Sequence, residues 1–186
     1  MFKIVSNNDF TKKQTLDVGC SDRPLGDINT DLYTQFTYRG KSKIQVQADG
    51  CFLPFRDNSF RLVRSQHVIE HLENPYKFLR EIARVSSKYV YIATPNAHNW
   101  RYIFRDTLDS YGDTKTAHRY QGFSAKCLSQ MFAFAGLEVV KFVYVPITHP
   151  YTGIWGPRKL DRFLKWMPRF NFREIQILGK KIQPNS

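Results

Sequence analysis

The chain has 186 residues, 42% hydrophobic and 15% aromatic, which suits one domain with a sizeable core and excludes a disordered chain. No apolar run approaches the ~20 residues of a membrane span, and Met1 to Asn8 lack the apolar stretch of a secretion signal. The net charge is +12, and +6 of it lies in residues 158–181, a segment that attracts nucleic acid or an anionic substrate, or is simply a solvated face.

In chain order, residues 14–18 read as a first central strand. Residues 27–32 read as a second, and Lys43 to Ala48 as an alternating third that ends at Asp49. Phe60 to Ser65 is a fourth strand. Asn74 and Pro75 then open a helix whose apolar positions Phe78, Leu79, Ile82 and Val85 have helical spacing. Lys88 to Ala93 is a fifth strand, stopped by Thr94-Pro95-Asn96. Residues 96–122 form a long polar and aromatic insertion of the kind that carries function. Ser124 caps a second helix with Leu128, Met131 and Phe132 on its inner side, and Gly136 ends it in the left-handed conformation. Leu137 to Val145 is a strand, residues 146–173 a basic cap, and Glu174 to Ile182 the last strand. The three cysteines, Cys20, Cys51 and Cys127, make no CxxC pair. They read as reduced thiols of a cytoplasmic protein, without a zinc site.

Strands alternating with helices predict a mostly parallel sheet covered on both faces, with its ligand at the carboxyl ends of the strands. Asp17 to Ser21, Asp31, Asp49 and Ser65 to His67 all fall at such ends. The turn at Gly19 lets a backbone approach a ligand, and Asp31, twelve residues later, offers a carboxylate to ribose hydroxyls. That gap is too short for a crossover helix and a strand. It lacks the GxGxxG and long helix of a dinucleotide-binding oxidoreductase, and Pro24 shortens any helix there.

These residues resemble the class I S-adenosylmethionine-dependent methyltransferases, in their small-molecule-type branch, over roughly residues 14–145. Leu16-Asp17-Val18-Gly19-Cys20 is similar to the family's first motif. Asp49 with Leu53 to Phe60 resembles the segment around its third strand. Ser65 to Leu72, with the helix Phe78 to Val85, resembles the segment after its fourth. His118-Arg119-Tyr120, Phe123-Ser124 and Ala135-Gly136-Leu137 resemble its late segment. The resemblance implies a single domain with a three-layer Rossmann-like fold: a mostly parallel seven-stranded sheet with an antiparallel final strand. It implies S-adenosylmethionine as cofactor, held by Asp17, Gly19, Cys20, Ser21, Asp31, Leu32, Asp49, Gly50, Cys51, Gln66 and His67. Asp31 would take the ribose hydroxyls and Asp49 the adenine amino group, with a backbone N–H from Gly50 or Cys51 to the ring. Gln66 and His67 would line the methionine end.

Three departures stand out. Ser21 replaces a second glycine and is tolerable there at negative φ. Arg61 replaces an acidic residue. The first crossover is reduced to Asp22 to Gly26.

Methyl transfer from a sulfonium needs alignment, and a base only where the acceptor must lose a proton. His118 is the candidate base, set against a role in orienting its loop. Glu70 and His71 fit a turn better than catalysis. The acceptor reads as a small molecule or an anion. The alternative function is a nucleic-acid-binding protein of the same fold with little turnover, acting through 158–181.

Overall fold

The computed structural model describes residues 14–21, 23–33, 45–99, 121–146 and 172–182. Their strands are β1 (Thr15–Val18), β2 (Ile28–Asp31), β3 (Val46–Gln47), β4 (Phe60–Gln66), β5 (Ser86–Pro95), β6 (Leu137–Pro146) and β7 (Phe172–Lys181). They form one sheet in the order β3-β2-β1-β4-β5-β7-β6. β1 to β5 are parallel, and β7 runs antiparallel to both β5 and β6. The strand order reverses between β1 and β4, the place where parallel sheets open a crevice beyond their strand ends.

Among the described residues, two α-helices and a single 3-10 turn (Ile69–His71) accompany the sheet. Helix α1 (Pro75–Val85) starts because the Asn74 side chain accepts the Lys77 N–H at 2.9 Å and Pro75 fits the first turn. It buries Phe78, Leu79, Ile82 and Val85, the face read from the spacing. Helix α2 (Ala125–Phe134) is capped by the Ser124 hydroxyl, which accepts the Cys127 N–H at 3.2 Å, and ends at Gly136 with φ +73°. Both helices pack on one sheet face, closing a core of Leu16, Val18, Val63, Val90, Ile92, Ile175 and Ile177 with Phe78, Leu79, Leu128 and Phe132. A smaller cluster, Leu62, Tyr91, Ala93 and Leu178, lies on the other face.

Several boundaries differ from the sequence expectation. β3 pairs over two residues only, at Thr30↔Val46 and Asp31↔Gln47, and 43–44 lie outside the described residues. β5 follows α1 without a loop. β7 starts two residues earlier than expected. Of the 96–122 insertion the two ends are described: Asn96 bridges Phe123, and the Ala97 N–H donates to the Phe123 carbonyl at 3.1 Å. Residues 100–120 and 147–171, which include His118 and most of the basic cap, lie outside the described residues.

One cation ties the loop before β4 to α1. Arg84 donates to the Leu53 and Phe55 carbonyls at 3.1 and 2.8 Å, and to the carboxylates of Asp57 and Glu81. Glu81 in turn accepts the Leu53 N–H at 2.8 Å. That network holds the segment carrying Asp49 to Cys51 against the helix.

Candidate active site

The carboxyl end of β1 turns sharply. Gly19 has φ +72°, and its N–H and that of Cys20 both donate to the Thr30 carbonyl, at 2.8 and 3.1 Å. A Cβ at Gly19 would overlap Cγ2 of Val68, the first residue after His67, so any side chain here is excluded by space as well as by φ. Ser21 departs from expectation: its φ is +47°, a left-handed conformation that a side chain disfavours. What holds it is the Asp31 carboxylate, whose Oδ2 accepts the Ser21 N–H at 2.8 Å while Oδ1 accepts the Tyr33 N–H at 3.0 Å. A carboxylate has about four lone-pair sites, so these two bonds leave it capacity for further donors. Leu32, next in sequence, is 48% exposed.

Asp17 faces the second side of the sheet. Its Oδ2 accepts the Leu25 N–H at 2.8 Å and Oδ1 lies 3.6 Å from Nε of Arg64, the neighbour across the β1–β4 pair. Burial raises its pKa, with Arg64 and the Leu25 N–H opposing. Asp17 thus organises the short crossover. Cys20 is buried, and burial with the nearby Asp17 and Asp31 pushes its thiol up to about 12, an inert group. All three cysteines are free thiols.

At the next strand ends, the Asp49 side chain accepts the Cys51 N–H at 2.8 Å and the Asp49 carbonyl accepts the Phe52 N–H at 2.9 Å. Of the two backbone donors expected at a cofactor ring, that of Cys51 is therefore turned onto Asp49. A Cβ at Gly50 would stand 2.5 Å from the Phe78 ring, so α1 approaches the turn closely. Gln66 donates from Nε2 to the Tyr91 hydroxyl at 3.3 Å.

His67 is the departure of greatest consequence. It has φ +55°, and its N–H donates to the Ala93 carbonyl at 2.8 Å. Its Nε2 lies 3.0 Å from Glu174 Oε2 and its Nδ1 lies 3.5 Å from Glu70 Oε1. The two carboxylates, Glu174 foremost, raise its pKa to about 9, so the ring is an imidazolium at neutral pH. Glu70 is 2% exposed; its Oε2 accepts the Thr94 hydroxyl at 2.9 Å, and His71 Nε2 stands 4.0 Å from Oε1. Sequence reasoning placed Glu70 in a turn, which holds, and did not single out Thr94 or Glu174. The His67–Glu70 spacing was visible. Glu174 joins them because Pro95 pairs with it across the β5–β7 ladder.

The structure therefore brings Gly19, Asp31, Asp49 and His67 to one sheet edge, and leaves His118 outside the described residues.

Residues 25–93, from the first crossover to β5, match the methyltransferase-domain family. No curated protein matches the sequence. Solved structures match over nearly the whole chain. A S-adenosylmethionine-dependent methyltransferase from Thermotoga maritima aligns with TM-score 0.70 and 16% identity over 93% of this chain and 84% of that one. One from Methanosarcina mazei aligns with TM-score 0.64 and 15% identity over 99% of both. Magnesium protoporphyrin IX methyltransferase from Synechocystis, solved with bound S-adenosylhomocysteine, aligns with TM-score 0.59 and 10% identity over 91% of this chain and 74% of that one. At such identities the likeness is one of fold. The segment across β2 to β5 is thus similar to the methyltransferase-domain family, and the chain has the fold of the S-adenosylmethionine-dependent methyltransferases.

Proposed function

We propose that this chain binds S-adenosylmethionine along the carboxyl edge of β1 to β4 and transfers its methyl group to a small-molecule acceptor. The observation that carries the reading is the wall at Gly19. It is a turn with no room for a side chain, and the buried Asp31 carboxylate stands behind it with hydrogen-bonding capacity to spare. A related fold solved with bound S-adenosylhomocysteine supports the choice of cofactor.

In this reading Asp31 takes the ribose hydroxyls, Leu32 offers apolar surface to the adenine, and the Asp49–Cys51 turn meets the ring's edge. Gly19 lets the main chain approach the amino-acid end, with Cys20 and Ser21 completing that turn. Gln66 and His67 border the methionine end. The bound cofactor supplies a methyl already activated on a sulfonium, so the protein's contribution is alignment. Held between two carboxylates, His67 is charged at neutral pH and does not act as a base there. The base, where an acceptor requires one, is assigned to His118.

A small acceptor is favoured over nucleic acid by one observation. The described lysines of the basic segment, Lys180 and Lys181, stand at the opposite end of β7 from Glu174, and Lys181 is committed to backbone carbonyls.

Calorimetry with S-adenosylhomocysteine tests the cofactor reading. Saturable one-to-one binding is expected, together with a rise in Tm. No heat and no Tm shift at millimolar ligand would overturn it.

A further inference from the structure

Two carboxylates and one imidazolium meet where β4, β5 and β7 end. Glu70 is almost fully buried and its Oε1 makes no hydrogen bond; it faces the histidine ring at 3.5 Å. Glu174 comes from the antiparallel strand and closes on the other ring nitrogen at 3.0 Å. The His67 backbone is left-handed, with its N–H donating to the Ala93 carbonyl, and the ring itself is held by the two carboxylates. Among the described residues, His71 stands 4.0 Å from Glu70, Tyr91 feels the charge of Glu174, and the Gln176 amide donates to Glu174 Oε1. With His67 charged, the two carboxylates outnumber the one imidazolium between them.

The array is also close to the glycine turn. Val68, its neighbour in sequence, fills the space above Gly19. With the amino-acid end of the cofactor at the Gly19–Ser21 turn, and Gln66 and His67 bordering it as proposed above, its sulfur comes within reach of the array's field. Methyl transfer changes the charge on that sulfur from positive to zero. A site with a net negative charge in a partly dehydrated setting therefore distinguishes the two forms.

We propose that Glu70, His67 and Glu174 form a charge selector that binds the sulfonium form of the cofactor in preference to its demethylated product. His67 is a positioning residue in this arrangement. It holds both carboxylates in place and lowers their summed charge from two to one. The inference rests on the cofactor reading above and adds to it a reason why spent cofactor leaves.

The test is the ratio of Kd for S-adenosylhomocysteine to Kd for S-adenosylmethionine, measured by calorimetry at pH 6.0, below the ordinary histidine value of 6.5. Glu174→Gln removes a negative charge and should lower the ratio by about fivefold. His67→Asn removes the positive charge and should raise it by a similar factor; asparagine also tolerates the left-handed backbone. Opposite signs are the signature, because a loss of packing would weaken both ligands in both variants. Ratios that stay constant, or that move the same way, overturn the selector while leaving the cofactor reading intact. Absence of S-adenosylhomocysteine binding to the wild-type protein overturns both. Circular dichroism of each variant, with retained product binding, verifies the fold.

Discussion

Ser21 holds a left-handed backbone that glycine adopts at far lower cost. The left-handed form costs a side-chain-bearing residue roughly 1–2 kcal/mol, whereas glycine loses about 0.5–1 kcal/mol through its freer unfolded chain. The first effect is the larger, so Ser21→Gly should raise Tm by about 1–3 °C. Ser21→Val, branched next to the backbone, should lower it. Scanning calorimetry of both variants decides the matter, and a drop for Ser21→Gly would show that the hydroxyl has an unrecognised partner. Gly19, Asp31 and Asp49 were readable as turn and strand-end residues because their chemistry is local: each bonds within a few residues or across one adjacent strand. The conformation of Ser21 was not readable, because nothing in a serine marks it for positive φ; the turn and its bond to Asp31 set it.

Helix α1 shows the same division between its two ends. Its N-terminus was readable from Asn74-Pro75, and its inner face from four apolar positions. Its C-terminus has no glycine: Ser86 passes directly into β5. The orphan carbonyls there are met from far away. Lys181, near the end of β7, donates from Nζ to the carbonyls of Ala83 at 3.0 Å and Ser86 at 3.0 Å, and to Asn58 Oδ1 at 2.7 Å. A cation at a helix C-terminus also meets the negative end of the helix dipole. Burial lowers the lysine's pKa, while Asp57 works the other way. Since several carbonyls lose their donor at once, Lys181→Met should destabilise by about 1–3 kcal/mol. A urea titration should show a lower midpoint at an unchanged slope, and an unchanged midpoint would mean that water replaces the lysine without loss.

Across the whole molecule, the alternation of strands and helices made the parallel half of the sheet legible. That the final strand is antiparallel came from the family resemblance; its place between β5 and β6 was not read from the sequence, since periodicity says nothing of strand order. That pairing is what makes His67 a cation, since Glu174 stands 107 positions later in the chain. Global stability should therefore carry a signature of the strand order. In the fold the His67 pKa rises from 6.5 to about 9, so the protonated ring favours the folded state. This contribution is fully present below pH 6.5 and is lost as pH rises through about 9. The ring is half-exposed, which screens the effect and keeps it modest. Cys20 acts in the same direction only above the ordinary thiol value of 9, because its folded pKa is also raised. Comparison with His67→Asn removes that overlap, since both proteins keep the thiol. The Tm gap between wild type and His67→Asn should be widest near pH 6 and should close by pH 9.5. A gap that is equal at both ends would mean that His67 stabilises the edge by shape rather than by charge. The Glu174 contact would then have no electrostatic role in folding.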